Sequence, residues 1–221
     1  MAEPPTPAAT VVPLRDGDDG LEVLLLRRND RGSFGGMWVF PGGKVDAADR
    51  DEGSEIGTAR RAAVREAAEE AGLGLDEARL VPLSWWLPPP EAPRRFATWF
   101  FLAPAAGHLP VVVDEHEIHE YRWQRPAAAM AARQAGEITL APPTFTTLWW
   151  LSQYPRVAAA LAAAAAREPE RFETHMAVRS DGQLRAAMWD GDAGYADGDL
   201  ERPGGRRRLW MDPTGWRVEI S

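Results

Sequence analysis

An acidic helix is the feature of the sequence that most restricts its fold. Residues 58–71 are mostly strong helix formers, and Gly72 follows them, as is usual at a left-handed helix end. Positions i, i+3 and i+4 of a helix share a face, so Glu66, Glu69 and Glu70 are predicted to lie together. Because like charges repel, the arrangement indicates a divalent cation, and carboxylates suit Mg²⁺ or Mn²⁺. A solvated acidic face is the alternative for this helix taken alone.

A glycine turn lies upstream of this helix. The apolar segment 37–40 is predicted to be a short strand, and it stops at a proline followed by Gly42 and Gly43. Glycine lets the backbone approach a metal or a phosphate closely, so the carbonyl of Gly43 is a candidate metal ligand. Arg65 precedes Glu69 by four residues, the spacing at which the two side chains pair on a helix.

Together, the two segments resemble the Nudix box, whose pattern is G-x5-E-x7-R-E-U-x-E-E-x-G-U. The second half of the pattern matches from Arg65 to Leu73, and a looser similarity extends over residues 9–155. The resemblance implies an α/β fold, the Nudix α/β/α sandwich with a mixed sheet and the box helix packed on it. Alternating strand and helix signals agree with this in outline. The metal ligands that the resemblance implies are Glu66, Glu69, Glu70 and Gly43.

The first half of the box departs from the family pattern. The stretch between Gly43 and Arg65 is eight residues longer than usual, and Gly57 stands where the pattern has a glutamate. In the family, that glutamate helps to hold the arginine. Replacement by another acidic residue of this stretch is expected, and the candidates are Asp51, Glu52 and Glu55.

The extended box and an arginine before the glycine turn resemble the coenzyme A diphosphatase branch of the family. Arg27 and Gly36 fit the spacing of that branch, whereas the second arginine of its pattern falls on Gly32, beside Arg31. The segment 95–101, RFATWFF, is similar to a strand of the acyl-coenzyme A diphosphatases. Arginine suits phosphate groups, and ordinary strand-edge charges are the alternative. The candidate substrate-binding residues are Arg27, Arg94 and Arg95.

A second acidic cluster, residues 114–120, precedes a short predicted strand. In some Nudix relatives, a glutamate of this region acts as the general base or adds a metal contact. The resemblance therefore implies this role for Glu117 or Glu120, with Glu70 as the other candidate base. A solvated loop is the alternative. His116 and His119 have no clear third ligand beside them, so they indicate zinc only weakly.

The chain is predicted to have three parts. Residues 1–8 are expected to form a disordered leader, residues 9–172 the Nudix domain, and residues 173–221 a β-rich extension of hairpins. The extension has three open roles: covering the substrate site, adding strands to the core, or forming a homodimer interface. Strands are predicted at 9–15, 21–28, 80–87 and 95–103, and helices at 127–135, 144–154 and 155–167.

Charge and composition narrow the range of partners. A formal charge of −8 argues against general nucleic-acid binding, and it favours a metal between the protein and a phosphate substrate. No apolar run is long enough for a transmembrane helix, and the first residues lack the features of a signal peptide. The chain has no cysteine. A cytoplasmic protein without a membrane partner is expected.

The sequence therefore predicts an enzyme, a Nudix diphosphatase that hydrolyses an acid anhydride in a small nucleotide-like substrate. The first candidate substrate is coenzyme A or acyl-coenzyme A, cleaved to 3′,5′-ADP and (acyl-)4′-phosphopantetheine. ADP-ribose, NADH and modified nucleotides are alternative substrates. Two further alternatives are a non-catalytic Nudix-fold regulator that binds nucleotides and a structural protein with an acidic helix.

Overall fold

The computed structural model describes residues 4–29, 35–105, 111–113, 117–179, 182 and 185–221. Arg31, Gly32 and His116 lie outside the described residues. The helices are α1 Glu55–Ala71, α2 Pro126–Gln134, α3 Pro142–Leu151 and α4 Val157–Ala165, with 3₁₀ turns at Ala47–Asp49 and Glu77–Arg79. The strands are β1 Thr6–Gly17, β2 Gly20–Arg28, β3 Trp38–Val39, β4 Gly42–Lys44, β5 Val81–Leu87, β6 Phe96–Pro104, β7 Ile118–Gln124, β8 Glu170–Glu173, β9 His175–Val178, β10 Arg185–Met188, β11 Arg207–Asp212 and β12 Gly215–Ile220.

In the described part of the chain, eight strands form one mixed sheet. Its main path is β3-β2-β1-β6-β5-β8, with β4 paired to β1 and β7 paired to β2. β1 runs parallel to β6, from Thr6 opposite Phe96 to Leu14 opposite Pro104. β5 and β8 are also parallel, and the other pairs are antiparallel.

β1 begins at Thr6, so the prediction of a disordered leader up to residue 8 is wrong for residues 6–8. The amide of Thr6 donates a hydrogen bond to the carbonyl of Arg95 at 2.8 Å. Ala8 lies opposite Lys44 of β4 on one side of β1 and opposite β6 on the other. Pairing on both sides extends β1 toward its N-terminal end. The local sequence is rich in Pro and Ala and does not by itself indicate a strand.

The main sheet buries a different core on each face. Val11 of β1 packs with the α1 core, whereas Val12 packs with α3 and α4, because successive strand residues point to opposite faces. Small side chains bring α1 close to the sheet. They are the buried alanines Ala59, Ala62, Ala63, Ala67 and Ala71.

The predicted mixed α/β fold, with a large sheet and helices packed on it, is confirmed.

Capping residues set both ends of α1. The Ser54 hydroxyl accepts a hydrogen bond from the Gly57 amide at 2.9 Å, so the helix begins at Glu55, three residues earlier than predicted. The helix ends as predicted at Gly72, which adopts a φ of 66°. The remaining helices differ from their predicted ends by no more than three residues. None of the helices that the structure describes is long and apolar enough to cross a membrane.

The C-terminal region forms a four-stranded antiparallel sheet in the order β12-β11-β10-β9, which confirms the predicted β-rich extension. Trp189 is fully buried and meets Trp86 of β5 edge-on, with ring centroids 5.5 Å apart. It also meets Phe172 of β8 edge-on, at 4.9 Å. Trp216 lies edge-on against Phe145 of α3, at 5.5 Å. The extension therefore shares the core on the sheet face opposite α1.

A buried ion pair connects β11 to the segment that follows β10. Arg208 and Asp192 are both fully buried and form two hydrogen bonds, at 2.6 Å from Nε and 2.5 Å from Nη2. Backbone amides of Gly194 and Arg207 also donate to the Asp192 carboxylate, and Arg208 donates to the carbonyl of Leu200. Burial acts to raise the pKa of Asp192, but these hydrogen bonds and the Arg208 charge outweigh it, so the pKa is lowered.

Candidate active site

Glu70 is the most deeply buried of the three helix glutamates, with its side chain 6% exposed. Its carboxylate accepts hydrogen bonds from the Gly42 amide at 2.9 Å and from Arg28 Nη1 at 3.1 Å. Burial raises its pKa to about 7; the Gly42 and Arg28 contacts oppose this rise, and the nearby charges of Glu66 and Glu117 add to it. Glu70 therefore links α1 to the glycine turn. It also lies close enough to Glu66 and Glu117 for their charges to raise its pKa.

Glu66 lies directly beneath the second glycine of the turn. A Cβ placed on Gly43 would stand 2.5 Å from Cδ of Glu66, so a larger residue at this position would displace the Glu66 carboxylate. Burial raises the pKa of Glu66, Arg65 lowers it, and the charges of Glu69 and Glu117 raise it further. The glycine turn thus allows a close approach between the backbone and the Glu66 carboxylate.

Arg65 connects the glutamates of α1 with the inserted stretch and with the residue after the glycine turn. Its Nη1 donates to Glu66 Oε1 and to Glu69 Oε2, both at 2.9 Å, so these two carboxylates converge on one point. Its Nη2 donates to the carbonyl of Lys44 at 2.9 Å. Its Nε and Nη2 bind Asp49 Oδ1 and Oδ2 at 3.1 and 2.9 Å. The pKa of Arg65 is raised, chiefly by the hydrogen bonds to Asp49.

Asp49 takes the place of the glutamate that is missing at Gly57. The expectation that Asp51, Glu52 or Glu55 would hold Arg65 is wrong. Asp51 pairs with Arg61 at 3.5 Å, Glu55 accepts a hydrogen bond from Trp99, and Glu52 is exposed. The inserted stretch folds into the 3₁₀ turn Ala47–Asp49, where the Asp46 amide donates to Asp49 Oδ2 at 2.8 Å. This turn buries Asp49 over α1 and aims it at Arg65.

Glu69 differs from its two neighbours because its side chain is 59% exposed and is held by Arg65. Among the described residues, no group of three or more acidic or histidine side chains is already arranged around a single metal position. The donor set nevertheless fits a hard divalent cation, since carboxylates converge beside two glycines. Arg65 binds Oε1 of Glu66 and Oε2 of Glu69, so the second oxygen of each carboxylate would be the one to hold the cation.

Arg28 was not among the residues predicted for the site, yet it joins two acidic groups. Its Nη1 contacts Glu70, and its Nη2 contacts Glu117 at 2.5 Å. Glu117 therefore lies at the site. Leu24 and Leu26 of β2 belong to the core beneath α1. Because alternate residues of a strand point to the same face, residue 28 belongs to this face as well. That alternation is the signal that distinguishes Arg28 from Arg27.

The other predicted residues lie farther from the helix glutamates. Glu120 contacts Arg122 at 2.8 Å and approaches Arg27 at 4.0 Å, on exposed side chains of the sheet. Arg95 donates to the carbonyl of Pro88 at 3.2 Å, in the connection between β5 and β6. Arg94 is exposed in the same connection. The structure thus brings together Glu66, Glu69, Glu70, Arg65, Gly43 and Glu117. In the described part of the chain, Arg27, Arg95 and Glu120 have their contacts elsewhere.

Comparison with known proteins decides the family. The sequence model described as the NUDIX domain matches residues 4–143, which is more than half of the chain. The chain belongs to the NUDIX domain family. The matched span includes the glycine turn, the inserted stretch, α1 and Glu117.

One curated Nudix relative and two solved Nudix structures illustrate the similarity. "Putative nudix hydrolase 7" of Caenorhabditis elegans is 30% identical over 167 residues, which cover 59% of this chain and 56% of that protein. The chain thus spans little more than half the length of this relative. A NUDIX hydrolase from Alicyclobacillus acidocaldarius is 23% identical with a TM-score of 0.68, over 76% of this chain and all of that one. The NUDIX domain of Shewanella oneidensis NrtR, complexed with ADP ribose, is 20% identical with a TM-score of 0.51, over 66% and 86% of the two chains.

The comparisons confirm the predicted family and the α/β fold. The prediction of a hydrolase acting on pyrophosphate bonds agrees with the family and with the name of the curated relative. The solved structures are less than 25% identical, so they support the fold alone. The coenzyme A branch is not supported by these matches.

Proposed function

We propose that this Nudix chain hydrolyses a diphosphate linkage in a nucleotide-like small molecule, with a divalent cation held by the box glutamates. The observation that carries the proposal is the convergence of Glu66 and Glu69 on Arg65 Nη1, each at 2.9 Å, beside the Gly42 amide that binds Glu70. A solvated acidic helix face would leave all three side chains exposed. Instead, Glu70 is buried, and Glu66 is nearly so.

The metal ligands in this proposal are Glu66, Glu69, Glu70 and the carbonyl of Gly43, and Mg²⁺ or Mn²⁺ suits these oxygen donors. When bound, such an ion neutralises phosphate charge, polarises a P–O bond and acidifies water. Arg65 would orient Glu66 and Glu69, while Asp49 holds Arg65 in place from the other side. The glycine turn would let the substrate phosphates approach the carboxylates closely.

Glu70 and Glu117 are the two proposed proton acceptors. Burial raises the pKa of Glu70 to about 7 in the absence of a cation, which suits a general base near neutral pH if Glu66, Glu69 and Gly43 hold the ion without it. Glu117 is joined to Glu70 through Arg28 and has a more exposed side chain, so it reaches solvent more easily. Glu120 is less suited, because Arg122 and Arg27 lie beside it on the open sheet.

Coenzyme A or acyl-coenzyme A is the substrate that we propose to test first. It is favoured by the similarity of residues 95–101 to a strand of acyl-coenzyme A diphosphatases and by the extended box. ADP-ribose is the second candidate, because the Shewanella NUDIX domain, which has the same fold, is complexed with it.

A substrate panel analysed by mass spectrometry tests the proposal. Coenzyme A, an acyl-coenzyme A, ADP-ribose and NADH are each incubated with the protein and Mg²⁺ or Mn²⁺. Formation of 3′,5′-ADP with 4′-phosphopantetheine identifies the coenzyme A activity, whereas AMP with ribose 5-phosphate identifies ADP-ribose hydrolysis. Chelation of the cation should stop either reaction. Binding of these molecules in calorimetry without hydrolysis under any condition would instead indicate a non-catalytic regulator.

A further inference from the structure

Tyr121 of β7 is an exposed aromatic residue on the sheet face that α1 covers. It is 42% exposed. In the antiparallel register it lies opposite Leu26 of β2, which belongs to the core beneath α1. Residues directly opposite each other on paired strands share a face, so the Tyr121 side chain leaves the sheet on the side of the box glutamates.

Tyr121 lies close to the arginine that binds two carboxylates of the candidate active site. Arg28 follows Leu26 by two residues on β2, so it is a diagonal neighbour of Tyr121 on the same face. Diagonal neighbours on two paired strands lie about 7–8 Å apart, within reach of aromatic and long side chains. Because Arg28 contacts both Glu70 and Glu117, Tyr121 flanks the candidate active site.

The other aromatic rings on this face, within the described residues, each lie against a guanidinium or a second ring. These contacts are Arg171 over Trp85 at 4.3 Å, Arg15 over Trp123 at 4.5 Å, Arg60 over Phe101 at 6.0 Å, and Phe101 beside Trp99 at 6.4 Å. In the same part of the chain, neither a guanidinium nor a ring lies against Tyr121. Tyr121 is thus the described ring on this face that leaves a surface open for a ligand.

An open ring beside the proposed phosphate site suits a nucleobase. Single exposed apolar side chains are ordinary on protein surfaces, so exposure alone would not indicate a ligand. Here the exposed ring lies diagonal to Arg28, and bases of every kind stack on aromatic side chains. A nucleoside 5′-diphosphate has one ribose between its phosphates and its base, so phosphates at the box and a base at Tyr121 can belong to one molecule.

We propose that Tyr121 recognises the nucleobase of the substrate by stacking against it. This inference rests on the proposed function, because the diphosphate must lie at the box glutamates while the base reaches β7. Tyr121 contributes binding and takes no part in proton transfer. Since stacking tolerates every base, the ring strengthens nucleotide binding without selecting one base.

Isothermal titration calorimetry with two probes separates the base from the phosphate. AMP carries adenine, the base present in every molecule of the substrate panel, and ribose 5-phosphate is the corresponding sugar phosphate without a base. With Mg²⁺ present, AMP should bind the wild type more tightly than ribose 5-phosphate does. Tyr121→Leu should weaken AMP binding by about 5- to 150-fold, the effect of removing one stacking ring, and leave ribose 5-phosphate binding unchanged.

Two further variants and a kinetic measurement distinguish stacking from a structural role. Tyr121→Phe keeps the ring and should retain the wild-type affinity for AMP. Met176→Ala removes another exposed apolar side chain, on β9 outside the Nudix box, and should leave both affinities unchanged. On the best substrate of the panel, Tyr121→Leu should raise KM with little change in kcat, whereas a structural defect would lower kcat as well.

The role of Tyr121 is overturned if AMP binds the wild type no more tightly than ribose 5-phosphate, or if Tyr121→Leu binds AMP as tightly as the wild type. It is equally overturned if Tyr121→Leu changes only the oligomeric state in analytical ultracentrifugation, since the ring would then contact a second copy. These results leave the proposed hydrolysis intact, because turnover of the panel is measured separately. Conversely, ring-dependent binding of AMP without hydrolysis of any panel molecule would support the role of Tyr121 and contradict the proposed function.

Discussion

The carboxylate of Asp49 accepts two hydrogen bonds from the guanidinium of Arg65, at 3.1 Å from Nε and 2.9 Å from Nη2. Two parallel bonds of this kind fix the plane of an arginine as well as its position. On its other edge, Arg65 binds Glu66 and Glu69. The inserted stretch of the box therefore supplies the group that orients the arginine, and the arginine in turn orients two candidate metal ligands.

Asp49→Asn should lower turnover and weaken metal binding without unfolding the protein, because one of the two charge-assisted bonds to Arg65 is lost. Residues that orient metal ligands typically change affinity or activity by about 10- to 100-fold. Steady-state kinetics over a Mg²⁺ titration measure the effect. Asp51→Asn is the control, since Asp51 pairs with Arg61 instead. Equal losses in the two variants would contradict the role of Asp49.

Gly43→Ala should reduce activity strongly, because the added methyl group meets the Glu66 carboxylate. Because the contact is with the end of a flexible side chain, the substitution should displace the Glu66 carboxylate and change the stability of the fold little. Turnover and the free energy of unfolding are both measured. Gly74→Ala is a suitable control, since a Cβ at Gly74 has open space around it. Wild-type turnover in Gly43→Ala would show that the close approach has no function.

Arg28→Met should impair the enzyme more than Arg27→Met. Arg28 binds both Glu70 and Glu117, whereas Arg27 approaches Glu120 at 4.0 Å on the exposed sheet. Removal of Arg28 leaves Glu70 without one of its hydrogen-bond donors, whereas the Gly42 amide remains. Comparison of kcat and KM for the two variants is the measurement. A larger rise in KM for Arg27→Met would support the original expectation that Arg27 binds substrate.

Asp192→Asn should destabilise the protein by about 3–5 kcal/mol, since it leaves the buried Arg208 without its counter-charge. The pKa of Asp192 is lowered from its ordinary value of 3.8, so the stabilisation is fully present above that value. It is lost as the pH falls through the lowered pKa. Urea unfolding at pH 7 and below pH 4 measures both effects. Asp197→Asn, in an exposed pair with Arg202, should change stability little.

The parts of the site that follow from local spacing could be predicted from the sequence. Glu66, Glu69 and Glu70 share a helix face because of the helical repeat, and Gly72 ends the helix because glycine adopts the left-handed conformation freely. The glycine turn also lies where its sequence indicates. These features need no knowledge of distant partners.

The parts that depend on tertiary contacts could not be predicted in the same way. Asp49 lies 16 residues before Arg65, and only the 3₁₀ turn of the insertion brings the two together. The start of β1 depends on its partner strands on both sides, which the local sequence does not specify. The sequence analysis named Arg27 and missed Arg28. Strand alternation separates the two residues, but choosing between them required knowing which sheet face α1 covers.

Turnover of Glu69→Gln and Glu70→Gln, measured with both Mg²⁺ and Mn²⁺ on the best substrate of the panel, tests the central claim most directly. Each substitution removes one negative charge and keeps the size of the side chain. The account predicts folded proteins whose turnover falls by about 10²- to 10⁴-fold, as for the loss of a catalytic acid or base. Glu168→Gln, at an exposed position outside the box, should retain wild-type turnover. Unchanged turnover in both box variants, with either ion, would contradict the proposed active site.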